Sequence, residues 1–286
     1  GERADNLEQA IDHMQQGKEV FNRAVFPAGV ALGGSSLTTA YSRRIRGDRA
    51  DNLEQAIDHY QQALEVYTRT AFPEEWAGAQ NNLAGTYAER IRGERADNLE
   101  QAIDHFQQAL KVRTRAASPA DWALTQNNLA ISYGNRIRGE RADNLEQAID
   151  HLQQALEVRT RAAFPADWAV TQNNLAGTYA ERIRGERADN LEQAIDHFQQ
   201  ALEVRTRTGF PADHRLTQRN LGNLFFGERR WAEALIAYQQ AIDAGDDLLA
   251  TAYSEAGRQA EVRETAKLYS RAAYCLLQGG HPDEGL

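Results

Sequence analysis

Residues Gly139–Arg184 read GERADNLEQAIDHLQQALEVRTRAAFPADWAVTQNNLAGTYAERIR, and the return of this text at a fixed interval decides the fold. Gly93–Arg138 is the same text with eight letters changed, and Gly47–Arg92 repeats it again. Another copy opens at Gly185, and an altered copy fills Gly1–Arg46, so the period is 46 residues. A fixed period of about 20–50 residues marks units that cannot bury their apolar faces alone and must stack.

Within the central block, Asp143-Asn144-Leu145-Glu146 reads as a capping box, with Asp at the N-cap and Glu three residues on. Leu145, Ala148, Ile149, Leu152, Ala155 and Leu156 then recur at three- and four-residue steps, which is one face of a helix. This helix is expected to run to about Ala162. Pro165 suits the first position of a second helix and Asp167 its first turn. Trp168, Leu175, Ala176, Tyr179 and Ile183 form its apolar stripe, and Gly185 stands where a C′ glycine closes a helix. Each block is therefore predicted to be two antiparallel helices. The alternation of a strand is nowhere visible. The expected fold is all-α, a right-handed solenoid of helix pairs. Trp76, Trp122 and Trp168, with Tyr87, Tyr133 and Tyr179, are expected to form its core between repeats.

The ends depart from the pattern. Met14 and Gly17 replace a large apolar residue and an alanine, Val30 stands in the Trp place, and Gly33-Gly34-Ser35-Ser36 replaces Thr-Gln-Asn-Asn. Glycines inside a helix each cost about 1 kcal/mol, so this end is expected to be the softest. After Arg207 the spacing shortens and His214 takes the Trp place. The predicted organisation is an array of long repeats over 1–214, a shorter repeat over 215–247, and a helical continuation over 248–286. In the last segment one helix is expected over Leu248–Arg263 and another over Glu264–Gln278, and His281-Pro282-Asp283-Glu284 reads as the start of one more.

Composition narrows the function. A net charge of −9 over 286 residues offers no basic face for nucleic acid. No run of about 18 apolar residues exists to span a membrane. The single cysteine, Cys275, permits no internal disulfide, and the expected setting is cytoplasmic. The chain does not open on Met and shows no signal peptide, so a fragment of a longer protein is expected.

Leu221-Gly222-x-x-Phe225, followed by Ala234, Tyr238 and Ala241, resembles the tetratricopeptide repeat. Leu175-Ala176-x-x-Tyr179 and Ala148, Leu152 and Ala155 fit the same template in the long blocks. The 46-residue period exceeds that family's usual length of about 34, and the added residues read as longer helices. Gln-Asn-Asn-Leu-Ala is similar to the phrase in kinesin light chain repeats. The arrangement as a whole resembles the repeat arrays of bacterial, often cyanobacterial, CHAT-domain protease proteins. Arg258–Ala266 is similar to the segment before such a domain. The resemblance implies a protein- or peptide-binding scaffold that recruits or regulates for an effector domain. The alternative is a structural module that self-associates by stacking or dimerising.

Four ladders are candidates for chemistry. Asn82, Asn128, Asn174 and Asn220 stand at one position of successive blocks, with Asn81, Asn127 and Asn173 beside them. The resemblance places that position in the concave groove. An amide offers donors and an acceptor, so it suits the backbone of an extended peptide. Thr125, Thr171, Ile131 and Gly177 are expected to modulate such binding. The competing reading is that these amides only bridge helices. The arginines at 90, 92, 136, 138, 182 and 184 read as a solvated ion-pair network with nearby acids rather than an anion site. His13, His59, His105, His151 and His197 recur too far apart to share a metal. The tryptophans read as packing rather than as a stacking platform. No catalytic constellation is expected: Cys275 lies in an apolar stripe, and Gly33-Gly34-Ser35 lacks a phosphate loop's lysine. No cofactor is implied.

Overall fold

The computed structural model describes residues 47–252 and 255–279, and the expectations placed on Met14, Gly17, Val30, Gly33, Gly34 and His281 lie outside them. The described residues form ten helices and no strand: α1 (Arg49–Val66), α2 (Pro73–Glu89), α3 (Arg95–Leu110), α4 (Pro119–Gly134), α5 (Arg141–Leu156), α6 (Pro165–Glu181), α7 (Arg187–Val204), α8 (Pro211–Gly227), α9 (Trp231–Thr251) and α10 (Glu255–Gln278). They fall into two compact units, one ending at Val158 and the other starting at Arg159. Each unit is a stretch of tetratricopeptide-type α-solenoid. In the first, α2 packs along α3 and α4 along α5; in the second, α6 packs along α7, α8 along α9 and α9 along α10.

Small residues let these helices close. Ala56, Ala102, Ala148, Ala194 and Ala234 are fully buried at equivalent positions, and Ala77, Ala123 and Ala169 are equally buried in the other helix type. Leu99, Ile103 and Phe106 fill the layer above them in α3, and Leu145, Ile149 and Leu152 do so in α5. Gly222 admits a close approach: a Cβ there would sit 2.8 Å from the Tyr238 ring.

The tight pairs meet at a turn that the side chain of an asparagine locks. Asn98 donates from Nδ2 to the Arg92 carbonyl (2.8 Å), while its Oδ1 accepts from Arg90 (3.4 Å). Asn144 and Asn190 repeat the bond to Arg138 and Arg184 at 2.9 Å each. Gly93, Gly139 and Gly185 complete the turn at φ of 78°, 79° and 81°, in the left-handed region that glycine enters most easily. The other turn is held by a threonine hydroxyl accepting from the residue three ahead, as Thr114 does from Ala117 (3.1 Å) and Thr160 from Ala163 (3.2 Å).

These turns move several expected boundaries. α5 begins at Arg141 with Glu140 at the N-cap, so Asp143 lies in the first turn and is not the cap. It ends at Leu156 rather than near Ala162, because Thr160 starts its turn there. α6 ends at Glu181; Ile183 is exposed instead of lying on the stripe, and Gly185 serves the next turn rather than the helix end. α9 continues through Leu248 to Thr251, and α10 is one helix where two had been expected.

Candidate functional site

α2, α4 and α6 each carry Gln-Asn-Asn, and adjacent helical residues point about 100° apart. The two asparagines therefore meet different surroundings. Asn81, Asn127 and Asn173, expected at the groove, are buried at 6%, 3% and 8% exposure. Asn81 accepts from the Thr125 hydroxyl (3.1 Å), and Asn173 accepts from Asn220 (3.4 Å), so these amides tie one first-type helix to the next. Asn82, Asn128, Asn174 and Asn220 are half-buried. The Oδ1 of Asn82 accepts from Asn81 (3.1 Å), and that of Asn128 accepts from Asn127 (3.4 Å). The Asn128 amide is thus held at its Oδ1 by the neighbouring Asn127.

Asn128 lines a cleft of about 260 Å³. Gly85, Ala88 and Glu89 of α2 form one wall; Asn128, Ile131, Ser132 and Asn135 of α4 form the other; Leu99 and Phe106 of α3 lie between, with Arg95 at the end. Leu99 and Phe106 are almost fully buried, so the floor is apolar and fixed. Glu89 is paired with Arg49, and Arg95 donates to the Ala88 carbonyl, so both charges at the rim are engaged.

Thr125 and Thr171, expected to modulate a ligand, are fully buried and cannot reach one. Each accepts from a buried guanidinium instead: Arg113 to Thr125 and Arg159 to Thr171, both at 3.1 Å, with Arg205 to Thr217 at 2.9 Å. Asp121, Asp167 and Asp213 stand 3.7, 3.8 and 3.5 Å from the same arginines. Burial pulls these guanidinium groups below their usual range, against the attraction of the aspartates. This ladder was missed in the sequence, where its one signal was an arginine at the same place in three blocks.

The histidines belong to a second buried network. His151 Nδ1 lies 2.7 Å from Gln126 Oε1, and Gln126 Nε2 donates to Gln154 at 2.8 Å. The amide orientation puts the imidazole proton on Nδ1. His197, Gln172 and Gln200 repeat this at 2.7 Å and 2.7 Å. His105, His151 and His197 stack on Tyr87, Tyr133 and Tyr179 at 5.5 Å, and burial lowers all three imidazoles below their ordinary range despite the neighbouring aspartates. No cluster of ligands able to hold a metal occurs among the described residues.

The tyrosines are buried at 8% each, and Tyr133 also accepts from Gln107 (3.0 Å). Trp76, Trp122 and Trp168 are half-buried, and the deepest place on the stripe belongs to the alanine that follows each. Trp76 packs at the margin against Ala63 and Tyr67, and Arg161 lies 5.9 Å over Trp168. His214, in the Trp place of α8, is buried with Nδ1 2.8 Å from the Arg205 carbonyl. Arg90 and Arg136 grip Glu54 and Glu100 through two hydrogen bonds each, and Arg92 and Arg138 pair with Asp51 and Asp97. The hydrogen bonds from Arg90 and Arg136 hold both glutamates below the usual carboxylate range. Cys275 is buried, and burial raises its thiol. No described helix is long and apolar enough to cross a membrane.

Residues 186–246 match the tetratricopeptide repeat family. No curated protein matches the chain. Among solved structures, BtubC (BKLC) from P. vanneervenii is 20% identical over 87% of this chain and 94% of its own, with a TM-score of 0.62. The apo form of the quorum sensor NprR from B. thuringiensis is 16% identical over 99% of this chain and 79% of its own, also at 0.62. PilF of Pseudomonas aeruginosa is 19% identical over 87% and 89%, at 0.51. At these identities the likeness establishes the fold alone.

Proposed function

We propose that this chain is a protein-interaction scaffold whose asparagine ladder holds the backbone of an extended peptide. The supporting observation is the cleft at Asn128, whose amide, held at its Oδ1 by Asn127, lines a space with Leu99 and Phe106 below. Asn82, Asn174 and Asn220 occupy the equivalent places on their own helices. An extended peptide advances about 3.3 Å per residue, and packed helices lie roughly 8–10 Å apart, so within one unit successive amides meet residues about three apart. Asn81, Asn127 and Asn173 support the ladder from behind without touching the ligand. The family resemblance supports a recruiting role beside a separate effector, and the likeness of Arg258–Ala266 to the segment before a CHAT protease domain is the support for an effector of that kind. Catalysis has no part in this reading.

Panning a random dodecapeptide library against the full chain tests it. Recovered peptides should bind the triple variant Asn82→Ala, Asn128→Ala, Asn174→Ala roughly ten- to a hundredfold more weakly, at about 1 kcal/mol net per lost hydrogen bond. Helix content should hold, since Ala is the better helix former. Equal affinity for the variant refutes the ladder. Self-association is the second reading, favoured by the exposed Val262, Tyr269 and Leu277 on α10. Light scattering separates the two, because a scaffold of the first kind stays monomeric.

A further inference from the structure

The eight positions at which Gly93–Arg138 differs from Gly139–Arg184 are Phe106, Lys111, Ser118, Leu124, Ile131, Ser132, Gly134 and Asn135, against Leu152, Glu157, Phe164, Val170, Gly177, Thr178, Ala180 and Glu181. Four of the eight, Phe106, Ile131, Ser132 and Asn135, line the one cleft described above. In a chain of near-copies, the differences gather where a ligand would feel them.

Their chemistry runs one way. Ile131 stands where the next block has glycine, and it projects an apolar wall that is 42% exposed. Phe106 replaces a leucine in the floor, and Asn135 replaces a glutamate, removing a carboxylate from the rim. Asn135 spends its Nδ2 on the Ile131 carbonyl (2.9 Å), and Ser132 spends its hydroxyl on the Asn128 carbonyl (3.2 Å). Opposite Ile131, Gly85 has no side chain, and a Cβ there would meet nothing within 4 Å. The space is thus open, apolar below and beside, and free of unengaged charge.

We propose that this cleft is a specificity subsite for a bulky, uncharged apolar side chain of the bound peptide, set apart from its counterparts in neighbouring blocks by Ile131 and Asn135. This rests on the peptide-groove reading above. Asn128 fixes the peptide backbone at the rim, and the side chain drops between Gly85 and Ile131 onto Phe106.

The test titrates the ¹⁵N-labelled full chain with acetylated, amidated pentapeptides Gly-Gly-X-Gly-Gly, where X is Leu, Phe, Asp, Lys or Gly. The Leu and Phe peptides should shift the amides of Gly85, Ile131, Ser132 and Asn135 saturably, with affinity roughly tenfold above the other three. Gly85→Ile fills the cleft from the open side and should remove that preference while circular dichroism and the remaining cross-peaks stay unchanged. Ile131→Gly, which restores the neighbouring block's residue, should weaken Leu binding by about fivefold or more. The triple alanine variant of Asn82, Asn128 and Asn174 separates the two readings. If all five peptides bind alike and Gly85→Ile changes nothing, the subsite is overturned and the groove stands. If the Leu and Phe peptides bind the alanine variant undiminished, the subsite stands and the ladder falls. If no peptide moves these amides, both are overturned.

Discussion

Thr125 and Asn128 lie three residues apart on α4 and do opposite things. The threonine is wholly buried and accepts from the Arg113 guanidinium; the asparagine lines an open cleft. Thr125→Val keeps the volume and removes the acceptor, leaving a buried charge short of a partner. It should destabilise the protein by about 1–3 kcal/mol with an unchanged urea slope, read from equilibrium unfolding. The histidines give a pH dependence of definite sign. Burial lowers His105, His151 and His197 in the folded chain, against the pull of Asp104, Asp150 and Asp196. Below about pH 6.5 the unfolded chain takes up protons that the folded chain refuses, so stability falls as pH drops from there. Glu54 and Glu100 have lowered values; their contribution is full above about pH 4.5 and lost only below it. The loss between roughly pH 6.5 and 5 therefore belongs to the imidazoles. Urea titrations at these two pH values should show a smaller difference for His151→Gln than for the parent. The asparagine phrase was visible in the sequence as a ladder. That its other member, Asn81, bonds to the next helix through Thr125 was not, because the partner lies 44 residues away and identical letters cannot show it.

The elements were legible wherever period carries them. Leu145, Ala148, Ile149 and Leu152 are all buried on one face of α5, as their spacing requires. Helix ends were less legible, because asparagine and threonine hooks fix them through bonds to backbone several residues away, which no local propensity encodes. Asn98 holds the turn that Gly93 completes, and the cap assigned to Asp143 gave way to a helix that starts earlier. Two glycines of α2 and its following turn should respond in opposite directions. Gly93→Ala forces a Cβ into φ +78° and should cost about 1–2 kcal/mol. Gly85→Ala adds a Cβ in open space inside α2 and should gain roughly 0.5–1 kcal/mol. Thermal unfolding of the two variants checks both signs, and a loss at Gly85 would mean the cleft wall is not open.

At the scale of the whole molecule, near-identical blocks make a block removable. Joining Arg92 to Gly139, without Gly93–Arg138, restores the same Arg-Gly-Glu-Arg-Ala-Asp-Asn turn. α5 then stands where α3 stood beside α2, and the two helices differ only in Leu152 for Phe106. Asn144 replaces Asn98 at the turn, and His151 replaces His105 as the ring stacked on Tyr87. Because a solenoid's stability is a sum of units and nearest-neighbour interfaces, the shortened chain should keep its helical fraction and lose only one unit's share of stability. Its cleft is another matter, since Gly85 would face Gly177 in place of Ile131, and Glu181 would bring back a carboxylate in place of Asn135. Binding of the Leu pentapeptide should therefore vanish from this deletion. Removing Gly139–Arg184 instead deletes the same length and one rung of the asparagine ladder, yet leaves Gly85, Phe106, Ile131 and Asn135 in place. That second deletion should still bind the Leu pentapeptide within about threefold of the parent. Circular dichroism and the same amide titration decide it: collapse of helix content in either deletion defeats the nearest-neighbour account, and equal binding by both defeats the assignment of specificity to the third block.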